Sequence, residues 1–450
     1  DGKRKSEMLN TITRVFVRVG DRWMPDPLVI AIFLTFICLS AAIAFTDFGL
    51  ADTVDAWGFS FWNLLAFTMQ MILILGLGHV VANTKPVHRI LVNIAGRINS
   101  APMAYGGLAF IAAFCGLFSW GVALIAPAVL SRILAASCKQ RGIKVHFPLL
   151  VASGWLGAST SMQGLSASIP LTINTPGHFL ESQIGLISLS ATIFSLWSLS
   201  IVFTKVLAIP LVVSRLAPAS GEIREMPPLK TDTVQPDQDP AGSPVTPSER
   251  MENSRFITMS LALLGTFYIA QHFQQGGSVN LNTINMIFLV IGLALADSPR
   301  HYLQLLGNAG RVVAPFMIQY PLYAGIMGII AVSGLGDLFV NGFIAISDKD
   351  SLPIWTFFSA GLLNLFIPSA GGQWAVQGPI AVEAAMQLGT DIPRIAMSLT
   401  LGESWTNAIQ PLYAIPVLTV AGLHIRDVMG YGVIICALNG TIYLIGLTFF

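Results

Sequence analysis

The chain has 450 residues, of which 54% are hydrophobic and 10% charged, with a formal net charge of +1. A soluble protein carries about 25% charged residues, so this composition excludes a soluble globular domain and points to a polytopic membrane protein. No long basic run or zinc-finger spacing suggests nucleic acid, no GxxxxGK[ST] loop suggests ATP hydrolysis, and four distant cysteines and seven scattered histidines make neither a metal set nor a disulfide set.

A membrane span needs about 20 apolar residues. The first apolar stretch, 25–46, continues as a full span and not as a cleavable signal, and 61–83 follows. Segment 104–136 is equally apolar but is interrupted by Phe118-Ser-Trp-Gly121, which predicts a re-entrant helical hairpin. Next comes a span at 147–174, broken at Gly157-Ala-Ser-Thr-Ser-Met-Gln163, and a further span at 184–215. Residues 216–255 are rich in Pro, Asp, Glu and Ser, lack apolar periodicity, and read as a flexible linker. Spans at 256–273, 283–297 and 311–333 lead to a second hairpin, 353–388, interrupted by Pro368-Ser-Ala-Gly-Gly-Gln373. The span 394–421 is broken at Glu403-Ser-Trp-Thr-Asn-Ala-Ile-Gln410, and 429–449 is the last. The fold class expected is therefore an all-α polytopic membrane protein with about nine spans and two re-entrant hairpins.

Loop charge sets the orientation, because Lys and Arg collect on the cytoplasmic side. The N-terminal tail carries Lys3, Arg4, Lys5, Arg14, Arg18 and Arg22, whereas the 47–55 loop carries Asp47, Asp52 and Asp55. Arg89 and Arg97 precede segment 104–136, and Lys139, Arg141 and Lys144 follow it, so both of its ends are expected inside. This places the N-terminus in the cytoplasm and the C-terminus in the periplasm.

The two halves match each other. Gln70 and Gln319 are 249 residues apart, Ser119 and Ser369 are 250 apart, and the pairs Thr160/Asn407 and Gln163/Gln410 are each 247 apart. Matched spans cross in opposite directions under the charge-derived topology, which predicts an inverted repeat, with 256–273 as an added helix.

Backbone at membrane depth loses helical form only where protein or a water-filled cavity satisfies it, so paired breaks point to a transporter's binding site. A hairpin tip offers the free N–H groups and positive dipole of a half-helix to an anion. The candidate substrate-binding residues are Ser119, Trp120, Gly121, Ser159, Thr160, Gln163, Ser369, Ala370, Gly371, Gly372, Gln373, Thr406, Asn407 and Gln410. The glycines are expected to permit sharp turns and close ligand approach. Helix packing by small and polar residues accounts for any one Ser or Thr, but not for their clustering at matched breaks. Glu403 lies inside a span, where a carboxylate is costly, and is the candidate for carrying a proton or binding a cation; the competing reading is a carboxyl group that caps a half-helix. Lys205 is expected to snorkel toward the cytoplasm. With no Lys or Arg in the breaks, the site suits a small monoanion, and Trp120, Trp155, Trp374 and Trp405 flank it as apolar walls.

FWNLLAF (61–67), PSAGGQWAVQGP (368–379), GESWTNAIQPLYAIP (402–416) and RDVMGY (426–431) resemble the bacterial short-chain fatty acid transporters, associated with acetoacetate and butyrate uptake. The likeness extends from WMPDPL (23–28) to the C-terminus. It implies membership of the ion-transporter superfamily of elevator-type carriers, typically homodimers with a fixed scaffold and a mobile transport part. Carried over, the scaffold comprises 8–103 and 256–352, and the transport part 104–215 and 353–450. Sodium-coupled relatives carry Ser-Asn-Thr at their hairpin tips; here the tips read Ser119-Trp-Gly121 and Ser369-Ala-Gly371, which leaves H+ or Na+ as the coupling ion.

The expectation is a secondary active transporter of short-chain monocarboxylates in the bacterial inner membrane, multi-pass, lipid-embedded, homodimeric and without a cofactor. Its alternatives are an uncoupled anion channel or facilitator, or a carrier of dicarboxylates or other organic anions. Nothing in the sequence assembles an enzyme's catalytic constellation.

Overall fold

The computed structural model describes residues 25, 27–218, 223–227 and 246–449. The basic tail used for orientation and most of the expected linker lie outside the described residues. Regular structure among the described residues is entirely helical, as lipid requires of a chain that must satisfy its backbone internally.

Helices α1 (Pro27–Phe45), α2 (Leu50–Ser60), α3 (Leu65–Ala82) and α4 (Lys85–Gly96) precede a pair, α5 (Ala101–Phe118) and α6 (Trp120–Gln140), joined by Ser119 alone. Then α7 (Phe147–Gly157) runs into a 3-10 segment, Ala158–Gln163, and α8 (Ser168–Ile173). A short α9 (Glu181–Ile184) is followed by α10 (Leu196–Val213). Beyond the linker come α11 (Pro247–Glu252), α12 (Arg255–Gln274), α13 (Leu281–Leu295), α14 (Pro299–Val313), α15 (Phe316–Val332) and α16 (Leu335–Ile346). The second pair is α17 (Leu352–Leu363) and α18 (Ala370–Leu388), followed by α19 (Ile392–Asn407), α20 (Pro411–Ala421) and α21 (Met429–Phe449). Helix starts are set by local chemistry: Asn280 Oδ1 accepts from Thr283 N (3.0 Å), Ser298 Oγ from His301 N (3.2 Å) and Asp391 Oδ2 from Arg394 N (3.2 Å).

Seven helices among the described residues are long and apolar enough to cross a membrane: α1, α3, α5, α6, α10, α12 and α21. The pair α15–α16, bent by 77°, makes an eighth. Large apolar side chains face outward, as Phe33, Phe36 and Ile37 do on α1 and Phe256, Leu263 and Phe267 on α12, while Thr160, Gln373, Ser404 and Gln410 are buried. This reversal of the soluble pattern is what a lipid-facing surface produces.

The elements differ from the sequence expectation in several places. Seven or eight spans stand among the described residues where nine were expected; the expected 47–55 loop is helical from Leu50, as α2; and α19 stays helical to Asn407, so the second break is 408–410 and not 403–410. The span expected from 184 begins only at Leu196, because Gly185 takes a positive φ of 61° and Ser195 closes a turn on Thr192 O before capping α10. The stretch 311–333 is shared between the end of α14 and α15, and the chain then turns at Gly334 (φ 80°) into α16, an element not anticipated. Helices α5 and α6 each reach spanning length, whereas α17 has 12 residues. Finally, part of the expected flexible linker is bound: Phe147 N donates to Arg224 O (2.9 Å), Lys139 pairs with Glu225 (2.6 Å) and Arg224 with Asp427 (3.0 Å).

Packing repeats between the halves. Helix α5 lies along α7 as α17 lies along α19, while α6 contacts α3 and α18 contacts α15. Two core clusters form where these helices meet, one around α5–α7 with α20, the other around α3, α13 and α15 with α18.

Candidate functional site

The two tips share one local structure. Ser119 and Ser369 are extended (φ −153° and −150°), and each hydroxyl accepts the N–H three residues on, from Val122 and Gly372, both at 3.4 Å. Each serine thus caps the helix it precedes, α6 or α18. Both tips are seated on neighbouring helices. Gly121 lies against Gly78 and Leu75 O of α3. A Cβ at Gly371 would stand 2.8 Å from Phe67 Cζ, and one at Gly372 would stand 2.5 Å from Tyr323 Cε2. These glycines therefore serve close packing of the tips on α3 and α15, a use other than the ligand approach expected of them. Ser369 Oγ also bonds Tyr320 Oη (2.9 Å), and Trp120 N donates to Ser166 Oγ (2.8 Å). Ala370 is buried as the first residue of α18.

The breaks mirror each other in a register that differs from the sequence alignment. Gly157 and Gly402 both allow near-contact with a carbonyl of the facing helix: a Cβ would lie 2.3 Å from Ala109 O or 2.2 Å from Phe357 O. Thr160 Oγ1 donates to Ala113 O (2.7 Å), and Thr406 Oγ1 to Gly361 O (2.8 Å). The structural partner of Thr160 is thus Thr406, not Asn407, because the second break holds one more residue between glycine and threonine. Both hydroxyls are consumed as staples, between α5 and the 3-10 segment after α7 and between α17 and α19.

Glu403 lies near the C-terminal end of α19, which stays helical to Asn407, just before the interruption at 408–410. It is 1% exposed. Oε1 accepts from Asn407 Nδ2 (3.1 Å), and Oε2 has no hydrogen-bond partner. No Lys, Arg or His among the described residues lies within ion-pair distance of it. Phenols surround it: Tyr320, Tyr413 and Tyr443 are all within electrostatic reach of the carboxylate. Asn364, at the end of α17, braces the break by directing Nδ2 to Glu403 O (3.1 Å), Thr406 Oγ1 (3.0 Å) and Asn407 Oδ1 (2.8 Å). Gln410 Nε2 returns to Asn364 O (3.0 Å) and Leu365 O (3.1 Å).

Lys205 does not snorkel. Its side chain is fully buried, and Nζ donates to Ser159 O (2.9 Å) and Tyr443 Oη (2.5 Å). Helix α10 presents it inward because α10 packs between α5 and α21, so its stem points at the first break. Ser404 Oγ shares both of its partners, donating to Ser159 O (3.2 Å) and lying 2.9 Å from Tyr443 Oη. Lys205, Ser404 and Tyr443 thereby tie the two breaks together.

Buried polar atoms without a hydrogen-bond partner concentrate in this region: Ser159 Oγ, Gln163 Oε1, Asn364 Oδ1, Gln373 Oε1 and Glu403 Oε2. The indole nitrogens of Trp120 and Trp374 belong to the same group. Such orphaned atoms are rare in folded proteins and mark places where water or a ligand completes the set. The remaining bonds of Gln163 and Gln373 hold neighbours: Gln163 Nε2 reaches Ser198 Oγ (3.3 Å), and Gln373 Nε2 reaches Ala360 O (2.8 Å). Sequence reasoning omitted Asn364, Tyr320, Tyr413, Tyr443 and Ser404. A lone asparagine in GLLNLF, immediately before a tip, was the one signal that could have found Asn364; the tyrosines look like ordinary apolar filling until the fold brings them together.

Comparison with known proteins agrees with this architecture. The family model for short chain fatty acid transporters matches residues 8–450. A protein of Escherichia coli (strain K12) named for short-chain fatty acid transport is 36% identical over 98% of this chain and 100% of its own length. One from Haemophilus influenzae, similarly named, is 34% identical over 98% and 100%. Among solved structures, the Alcanivorax borkumensis YdaH transporter matches with a TM-score of 0.58 at 15% identity, over 94% of this chain and 97% of that one. Neisseria gonorrhoeae MtrF, described as illuminating a class of antimetabolite efflux pumps, matches at 0.59 and 17%, over 97% and 96%. The chain belongs to the short-chain fatty acid transporter family; it is a multi-pass membrane transporter and not an enzyme.

Proposed function

We propose that this family member is a secondary active transporter of short-chain monocarboxylates such as butyrate and acetoacetate, coupled to H+ or Na+. The observation that carries the reading is the set of unpartnered buried polar atoms around Glu403 and the two breaks, which a small carboxylate and a cation would complete. The carboxylate oxygens need donors, and Ser159 and the indole of Trp120 offer them without losing an existing bond of their own. Only neutral donors and one tethered ammonium surround the site, which suits one negative charge better than two or three. The matched tips and breaks support an inverted repeat, with 104–215 and 353–450 moving as an elevator against a scaffold of 8–103 and 256–352. In this reading two such chains form a homodimer in the bacterial inner membrane, N-terminus inside and C-terminus outside. The end where Arg132, Lys139, Arg141 and Arg224 gather is then cytoplasmic. Alternating access follows from burial: substrate and ion neutralise each other before the mobile part crosses.

The test is labelled butyrate and acetoacetate uptake by the purified protein in proteoliposomes, with sodium and proton gradients imposed separately. Uphill uptake driven by one gradient supports the proposal and names the ion. Downhill flux alone assigns a facilitator, and uptake restricted to larger or doubly charged anions moves the substrate class.

A further inference from the structure

A buried ammonium at the end of a broken helix is unusual chemistry. Carbonyls freed at a break, together with the negative end of the half-helix dipole, are where carriers of this architecture seat a cation. Here Ser159 O, in the 3-10 segment after α7, already receives an ammonium from Lys205 (2.9 Å) and a hydroxyl from Ser404 (3.2 Å). No carboxylate among the described residues pairs with Lys205 within 4 Å, and its side chain is 0% exposed. A positive charge held that deeply is either balanced by a negative one or given up with its proton. The nearest bonded route to a negative group runs through Tyr443 and Ser404, next to Glu403. Glu403 has the complementary deficiency, a buried carboxylate with no cation of its own.

We propose that Lys205 is the tethered cation of the site, filling the cation position of the first break in place of a free sodium ion. Its charge balances Glu403 when the site is empty and the substrate carboxylate when the site is loaded. This rests on the monocarboxylate reading above. The charges close in both states. Empty, the site holds the Lys205 ammonium and the Glu403 carboxylate. On loading, a carboxylate anion and one proton enter from the same side; the proton goes onto Glu403, and the substrate supplies the single negative charge. On release both leave together, and Glu403 is again ionised. The groups facing Glu403 are the phenols of Tyr320 on α15, Tyr413 on α20 and Tyr443 on α21, with the amides of Asn364 and Asn407; none of these supplies a positive charge, and the proposal assigns that charge to Lys205, reached through Tyr443 and Ser404.

Three experiments separate this from its failure. Thermal unfolding of wild type and Lys205→Met, without substrate, is compared in sodium chloride and choline chloride. Wild type is expected to be indifferent to the cation, and Lys205→Met to be destabilised in choline and partly restored by sodium entering the vacated position. A folded variant no more responsive to sodium than wild type overturns the proposal. The second arm uses wild type alone, so it decides the question even if the variant does not fold. Butyrate uptake driven by a pH gradient should proceed in sodium-free medium and be unchanged by an imposed membrane potential; a strict sodium requirement, or uptake driven by potential at fixed pH, overturns it. Exchange by Lys205→Met in choline should fall about tenfold or more, the loss of a charge-assisted bond, while Lys205→Arg retains part of it. If butyrate is not transported at all, the monocarboxylate reading fails, yet the sodium response of Lys205→Met still reads out the tethered cation.

Discussion

Replacing Glu403 by glutamine tests the coupling role with the least structural disturbance. The carboxylate accepts one hydrogen bond, from Asn407 at 3.1 Å, and its other oxygen has no partner. Glutamine keeps the first bond and places an amide where the second oxygen stood. The fold then bears an amide group without acceptors, about 1–3 kcal/mol, and the loss of the charge proposed to balance Lys205, whose buried amine can give up its proton; against a total stability of about 5–15 kcal/mol the variant should fold. Coupling should respond far more. With one proton moved per carboxylate, each unit of pH gradient is worth about 1.4 kcal/mol, or about tenfold accumulation. In proteoliposomes with a pH gradient, wild type should accumulate butyrate above the outside concentration. Glu403→Gln should only equilibrate it, while still exchanging labelled for unlabelled substrate. Uphill accumulation by Glu403→Gln equal to wild type would refute the assignment of the proton to this residue.

Other consequences are independent of substrate identity. Gly157→Ala and Gly402→Ala each push a methyl group to within 2.3 Å or less of a backbone carbonyl oxygen. Each should cost about 1–3 kcal/mol by overpacking, seen as a lowered unfolding midpoint; an unchanged midpoint would mean that the facing helices are farther apart. Thr160→Val and Thr406→Val remove matched staples and should each cost about 0.5–1.5 kcal/mol while leaving exchange kinetics near wild type, whereas a large rise in KM would move those hydroxyls into the site. Ser159→Ala removes an unpartnered hydroxyl and should instead weaken substrate affinity with little effect on the unfolding midpoint. At the basic end, the Lys139 ammonium holds the exposed Glu225 carboxyl below the usual carboxylate range. Its tie to the 223–227 segment should therefore persist at neutral pH and loosen only as pH falls through that lowered range, read as faster hydrogen exchange in the segment; loosening between neutral pH and the ordinary carboxylate range would contradict it.

In lipid a backbone must satisfy itself as a helix or a closed barrel, and long unbroken apolar runs take the helix, so interruptions stand out in the sequence. Hence the membrane class, the tips at Ser119 and Ser369, the break after Gly157 and the presence of a second one before Pro411 were legible from residue order, although the second begins only after Asn407. The same reasoning misjudged elements whose limits depend on turn geometry. Gly185 and Gly334 both adopt positive φ, and neither looked different from the many other glycines of the chain.

What residue order determined was where the chain must depart from simple spans, because polar and glycine-rich stretches are conspicuous against an apolar background. What only the tertiary structure decided was which polar groups the protein itself satisfies. Thr160 and Thr406 looked like ligand donors but are spent on Ala113 and Gly361, in a register one residue away from the best sequence alignment. Lys205 looked like a snorkelling surface cation but turns inward to groups 46 and 238 positions away. The physical reason is the same in each case: a side chain's direction and partner are set by the packing of helices distant in sequence, and local pattern carries no record of that packing.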